Sequence, residues 1–333
     1  MQRLNLKHAF TAELLIFGII LAGAAYCRFW AAPHSAGPDV VQYWAFARQF
    51  QESGLDFYRF AEATGDLYPF PGWNFVYPPV WLLILRFALF ATPTSYASLL
   101  IVTTDWRIAE KLPIILADLV IGILIYRFVS GSSLKKLLLA GAWLLSPAVW
   151  YQSAVFGQFD AVASAFLLGA ILLLERGKDR AAFILAGLAV MTKQHTLIPV
   201  TLMLAAWFPM VPRRRFFRGC AIMAGVGLVL SFPFLVTGNF VEYTGTILFG
   251  AHGPGYQEPL SYTFNGLSAL LTHLHNIFGW SLHACFNYFI PVLVASLAGC
   301  VWLVYRLRLS PARAALIGFL LFLLFFYRIN YQY

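Results

Sequence analysis

The sequence predicts an all-α, polytopic membrane protein, and three observations carry that prediction. Of its 333 residues 60% are hydrophobic, 17% aromatic and only 11% charged, with a mean hydropathy of +0.73, which leaves too few polar side chains to cover a soluble globule of this length. Apolar windows long enough to cross a bilayer recur along the chain. Between them Lys and Arg gather in short clusters: Arg3/Lys7, Lys135/Lys136, Arg176/Lys178/Arg180, Arg213 to Arg215 with Arg218, and Arg306/Arg308/Arg313. Clusters of this kind mark loops kept in the cytoplasm. The net charge of +9 is therefore a topology signal; no basic stripe interleaves with exposed aromatics, so membrane lipids are expected partners and nucleic acid is not.

The first span is read near residues 11 to 32. Its apolar run from Leu14 to Tyr26 follows basic residues but lacks a small-residue cleavage site, so it reads as an anchor that is kept. Residues 33 to 78 form a long first outer loop, in which Gly37-Pro38-Asp39 leads into VVQYWAFARQFQES. Apolar residues at helical spacing predict an amphipathic helix lying at the interface there, with Asp39 at its start. Pro78-Pro79 then opens the next apolar stretch.

Two stretches are interrupted: 79 to 104 by Arg86 and Thr92-Pro93-Thr94, and 181 to 209 by Lys193-Gln194-His195. The basic loops around them require an even number of crossings, so each is read as two short or broken helices meeting at a polar tip. Irregular backbone at such depth is tolerated only where it is buried or lines a cavity, which makes the tips candidates for a site. Further spans near 111 to 129, 137 to 153, 160 to 174, 219 to 237, 284 to 305 and 313 to 327 bring the total to about 11 segments in a single transmembrane domain, residues 1 to 333, with a second large outer loop at 238 to 283. The chain stops at YRINYQY, a polar stretch that reads as the start of something further, so a truncated C-terminus is expected.

This topology places the N-terminus inside and leaves 33 to 78, 105 to 110, 154 to 160, 193 to 195, 238 to 283 and 328 to 333 on the outer face. Most acids collect there: Asp39, Glu52, Asp56, Glu62, Asp66, Asp105, Glu110, Asp160, Glu242 and Glu258. Cys27, Cys220, Cys285 and Cys300 are scattered and read as packed thiols.

Several residues on that face are candidates for chemistry. Asp39 is either the cap of its helix or a carboxylate held where lipid phosphates and hydroxyls meet, and the two roles are compatible. Tyr68, Phe70, Trp73, Phe75 and Tyr77 form either an interfacial belt or flat faces for a sugar ring or a polyprenyl chain. Asp105, Arg107 and Lys111 precede a span that contains Asp118; Arg107 and Lys111 suit a phosphate, and Lys111 is a candidate partner for Asp118. Gln158 and Asp160 lie between two spans, where they could bind a sugar or orient a hydroxyl, although Asp160 could equally cap the next helix. Lys193, Gln194 and His195 sit at a helix break, where phosphate binding is the leading reading. No P-loop, GxGxxG, HExxH or spaced Ser/His/Asp set occurs. Asp39 or Asp160 with His252 could ligate a divalent metal but offers no tight ligand spacing, so no metal or other cofactor is predicted.

Taken in order, the first-loop aspartate, the YPP before the second apolar stretch, RIAEKLPIILADL, FGQFDAVAS and the Lys193-Gln194 tip resemble the GT-C superfamily of polytopic glycosyltransferases, covering about residues 37 to 200. The nearest likenesses are the lipid-linked-oligosaccharide glucosyltransferases, the GPI-type mannosyltransferases and their bacterial relatives. The resemblance implies inverting transfer of a hexose, mannose or glucose, from a polyprenyl-phosphate sugar to a lipid-linked or glycan acceptor. It places the enzyme in the bacterial plasma membrane with its site on the outer face. It makes Asp39 the general base, with Gln158 and Asp160 in a substrate loop and Lys193-Gln194 at the tip. The histidine-glutamate motif of the eukaryotic relatives is absent where this chain reads Arg328-Ile329-Asn330-Tyr331-Gln332-Tyr333. The competing class is a transporter or flippase of a lipid-linked or small anionic solute, which the broken helices would suit; the long outer loop and the lack of a two-fold repeat count against it.

Overall fold

The computed structural model describes residues 2–60, 75–98, 101–237, 239–249, 266–280, 285 and 288–325. Glu62, Asp66, Tyr68, Phe70, Trp73, His252, Glu258 and the tail from 328 lie outside the described residues. Apart from one small hairpin, the regular structure among the described residues is helical, and it groups into two compact units.

The first unit holds residues 1–57, 63–71 and 80–169. Its long helices are α1 (Gln2–Ala31), α2 (Pro38–Ser53), α3 (Pro79–Ala91) and α4 (Thr104–Phe128). Then come α5 (Ser133–Leu144), the single turn α6 (Pro147–Trp150), a π-turn (Tyr151–Phe156) and the start of α7 (Asp160–Glu175). Phe17 and Ala24 of α1 and Ala140 and Leu144 of α5 form one apolar core, with Leu119 and Ile125 of α4 packed on it. At the other end of α1, Ala31 and Ala32 meet Ile115 of α4 and Ala154 of the π-turn.

Two expectations for this unit are corrected. Residues 79 to 104 hold one helix, α3, and not two. The Thr92 hydroxyl donates back to Ala88 O at 2.9 Å, Pro93 cannot extend the ladder, and the chain turns into an antiparallel pair of two-residue strands, β1 (Ala97–Ser98) and β2 (Ile101–Val102). Nor is α2 a one-sided interfacial helix. Every residue from Val40 to Ala47 is buried, so protein surrounds it on all faces.

The second unit holds residues 58–62, 72–79 and 170–333. As expected, α8 (Asp179–Thr192) and α9 (Leu197–Trp207) meet at a break, a 3₁₀ turn over Gln194–Thr196. They are followed by α10 (Arg213–Leu235), α11 (Phe240–Phe249), α12 (Gly266–Phe278), α13 (Phe289–Leu307) and α14 (Pro311–Phe325). Leu202 and Ala206 of α9, Leu293 and Val304 of α13, and Ala314 and Leu321 of α14 make its core.

Among the described residues Thr11–His34, Arg213–Leu235 and Phe289–Leu307 are long and apolar enough to cross a bilayer, and Pro79–Ala91 and Pro311–Phe325 are shorter apolar helices. The other expected spans are shortened by breaks, as at Pro147, or carry too much charge: α4 has 25 residues but holds Asp105, Arg107, Glu110, Lys111 and Asp118.

Candidate active site

The site in the first unit is made by a backbone approach that two glycines permit. Gly157 closes the π-turn with φ 83°, a left-handed conformation that a side chain disfavours, and a Cβ there would collide with Val40 of α2. A Cβ on Gly37, the residue before α2, would strike the Phe156 carbonyl. The start of α2 therefore lies directly against the end of the π-turn. Irregular turns of this type recur at functional positions.

That approach brings Asp39 and Gln158 together, and the Gln158 amide donates to the Asp39 carboxylate. Asp39 is not the cap of its helix. Gly37 holds that position and Pro38 opens the first turn, which leaves the Asp39 carboxylate available to Gln158. Next to Gln158, the Phe159 ring stacks on Trp81 at 4.3 Å and 6°, and Tyr43 meets both edge-on at 5.8 and 5.6 Å. These contacts fix the loop that carries the amide.

α4 supplies the charged neighbours. The Trp106 indole donates to Val40 O at 2.8 Å and fastens α4 to α2. Glu110 is fully buried, the charges of Lys111 and Asp39 act on it, and neither of its carboxylate oxygens accepts a hydrogen bond among the described residues. Its carboxylate faces the Gly157 turn, since a Cβ at Gly157 would lie 3.1 Å from Oε2.

Lys111 is also fully buried, and its ammonium donates to Ser35 O at 2.6 Å, Val155 O at 3.1 Å, Ala32 O at 3.2 Å and Ser35 Oγ at 3.2 Å. Those bonds tie the end of α1 and the π-turn to α4. Arg107 donates to Pro33 O at 3.1 Å, while Asp105 is exposed in the first turn of α4. Asp160 is half-buried and opens α7.

Asp118 has a different partner from the one expected. Arg28 Nε donates to its Oδ2 at 3.0 Å, Ser153 Oγ to the same oxygen at 2.6 Å, and both charged side chains are buried. Lys111 is engaged by carbonyls instead. Arg28 was missed as a member of the charged constellation, and Glu110 was read as an outer-face acid beside Lys111 but not as a site residue. For Arg28 the available signal was an arginine inside the first span, because it needs a partner in hydrocarbon.

The second unit gathers Lys193, Gln194 and Tyr77. Lys193 ends α8, is 2% exposed, and sets its ammonium 5.7 Å from the centre of the Tyr77 ring. The Gln194 amide donates to Val76 O at 2.8 Å and to Ile247 O at 3.3 Å, and the Tyr58 hydroxyl donates to Tyr77 O at 2.9 Å. Burial, with a smaller contribution from Tyr243, pushes the Tyr58 phenol well above its ordinary value; burial likewise raises Tyr243, which a hydrogen bond to Ser231 partly offsets. Both remain neutral, so Tyr58 stays a donor. His195 stacks on Phe322 of α14 with 4.4 Å between ring centres.

The model of one protein family, described as Glycosyltransferase family 87, matches residues 75–326, most of the chain. The chain belongs to glycosyltransferase family 87. This is a family of GT-C type membrane enzymes, which agrees with the resemblance drawn from the motif order. No curated protein and no solved structure matches the chain. The family 87 match includes Lys111, Gln158, Asp160 and the Lys193-Gln194 tip; Asp39 precedes it, so its role rests on its contact with Gln158 and on the resemblance.

Proposed function

We propose that the chain transfers a hexose from a polyprenyl-phosphate sugar to a lipid-linked or glycan acceptor on the outer face of a bacterial plasma membrane, with inversion and with Asp39 as general base. The observation that carries the reading is the half-buried Asp39 carboxylate, oriented by Gln158. As the acceptor oxygen forms its bond to the sugar C1, Asp39 takes the hydroxyl proton. The bond from C1 to the phosphate oxygen breaks, and its electron pair leaves with the polyprenyl phosphate. Displacement on one face inverts the anomeric centre. Within the second unit, Lys193 is assigned to phosphate binding, since a buried ammonium stabilises negative charge far better than one in water. Gln158 positions the base. Tyr77 supplies an aromatic face beside Lys193 in the second unit, and in the first unit Asp160 accepts hydrogen bonds from sugar hydroxyls.

The test is transfer of labelled hexose from a polyprenyl-phosphate donor by purified protein. Asp39→Asn removes the base while keeping the shape that Gln158 contacts, and the rate should fall by about 10²-fold or more. Unchanged turnover in a folded Asp39→Asn variant would end the assignment of the base. Lys193→Met should also slow transfer. Solute uptake into proteoliposomes with no transfer by the parent protein would favour a transporter.

A further inference from the structure

We propose that the second unit binds the phosphate headgroup of an anionic phospholipid in an open cavity of about 540 Å³ at the basic ends of α8 and α10, away from any residue used above for transfer. Its wall carries Lys178 and Arg180 beside the start of α8 and Arg215 and Arg218 in the first turns of α10, against a single carboxylate, Asp179. That carboxylate is already taken. Arg215 grips it as a fork, through Nε to one oxygen and Nη2 to the other at 2.8 Å. Among the described residues no hydrogen bond or ion pair engages the side chains of Lys178, Arg180 and Arg218, so three cations line a cavity whose one lining carboxylate is already paired.

The cavity is part of the helix packing. Gly219 of α10 lies against Phe183 of α8, and Gly187 lies against Val226, so the two helices run parallel in close contact and both begin at the cavity. Their N-terminal N–H groups add to the positive field there.

A lipid, as opposed to a free phosphate, is favoured by position. α10 is long and apolar enough to cross the bilayer, which puts its first turn at headgroup level. Its next residue, Phe216, lines an apolar groove of about 520 Å³ with Phe208, Val301, Trp302 and Tyr305. Polar and apolar binding surfaces therefore follow each other around one helix end, as an amphiphile requires. Basic recesses between membrane helices recognise anionic headgroups by this chemistry.

The experiment uses the full chain in neutral detergent and counts retained lipid by native mass spectrometry after adding phosphatidylglycerol or phosphatidylcholine. A double variant, Lys178→Ala/Arg218→Ala, removes two cavity cations. Arg213→Ala/Arg214→Ala removes the same charge from exposed residues of α10 that do not line the cavity. Phosphatidylglycerol should be retained over phosphatidylcholine, and the first variant should bind it about tenfold more weakly, as expected for losing a charge-assisted contact. The second variant should bind it as the parent does. Equal losses in both variants, or equal retention of the two lipids, would overturn the proposal. Inorganic phosphate binding as tightly as the lipid would overturn the lipid assignment. Should the first variant fail to fold, Arg180→Ala and a salt titration of the parent replace it: both should weaken retention, and indifference to both overturns the site.

Discussion

Replacing Asp118 by Asn removes one charge from the buried Arg28–Asp118 pair while preserving volume and the ability to accept a hydrogen bond from Ser153. The two side chains are 0% and 2% exposed, and the guanidinium keeps two further acceptors, Leu144 O at 2.8 Å and Ala24 O at 3.2 Å. Those carbonyls solvate Arg28 but cannot neutralise it. Breaking a buried ion pair from one side costs about 3–5 kcal/mol, because the remaining charge is left uncompensated. Retained hydrogen bonds put Asp118→Asn at the lower end, roughly 3 kcal/mol. At about 2–4 °C per kcal/mol for a large domain, the apparent unfolding temperature in detergent should drop by roughly 6–12 °C. Scans at one fixed rate keep the comparison valid if unfolding is irreversible. Arg28→Met should lose a similar amount, since it strands the carboxylate. The double variant Arg28→Met/Asp118→Leu should lose less than either single change, because it removes both charges together. If the single variants unfold within about 1 °C of the parent, or if the double variant loses the full sum, the pair is not the buried electrostatic unit described.

Gly157→Ala forces a side chain into a left-handed position against Val40, and should lower both thermal stability, by about 1–3 kcal/mol, and hexose transfer; a normal melting curve with normal transfer would show that the approach of α2 to the π-turn is not required. Lys111→Met should lower stability by more than about 2 kcal/mol because it strands the carbonyls of Ala32, Ser35 and Val155, whereas a lysine that served as a phosphate ligand would leave folding intact and raise only the donor KM. Tyr58→Phe should cost about 1 kcal/mol in the melting curve through its lost bond to Tyr77 O. The raised Tyr58 phenol contributes stability that is complete below its ordinary value of 10.0 and declines as pH rises above it, so Tyr58→Phe should also lessen the alkaline loss of stability.

What the sequence conveyed well were features written in local pattern. The break at Lys193-Gln194-His195 was legible because polar residues interrupt an apolar run, and the structure bends there. The partnership of Asp39 with the Gln158 loop was legible only as an order of motifs; their contact depends on a left-handed Gly157 and a close-packed Gly37, and neither glycine differs in sequence from one in an ordinary loop. The burial of α2 was illegible for a related reason. Its spacing resembles that of an interfacial helix, and the segments packed on it include α4 and the π-turn, more than 50 residues further along the chain. The hairpin after α3 was obscured by a hydropathy window that continued through it. Backbone pairing over two residues leaves no period to detect.

Lys111 shows most directly where a residue type stops being informative. A lysine beside an outer-face aspartate suits a phosphate, and the sequence offers nothing against that reading. What distinguishes a ligand from a tether is the number of carbonyls that meet the ammonium, and here they come from Ala32, Ser35 and Val155, from segments 44 to 79 positions away. Once those bonds are made the charge is committed. It holds the end of α1 and the π-turn in the arrangement that lets Gln158 reach Asp39, and its remaining electrostatic effect falls on the buried Glu110 beside it. Glu110 in turn has no hydrogen-bond donor among the described residues, and burial pushes its carboxyl well above the usual carboxylate range, which the neighbouring ammonium partly offsets. Lys111 therefore supports the Asp39–Gln158 contact by fixing the backbone around it. A substitution that keeps the charge but not the shape, Lys111→Arg, should fail to do so, because a planar guanidinium cannot direct its donors to carbonyls arranged around a single nitrogen.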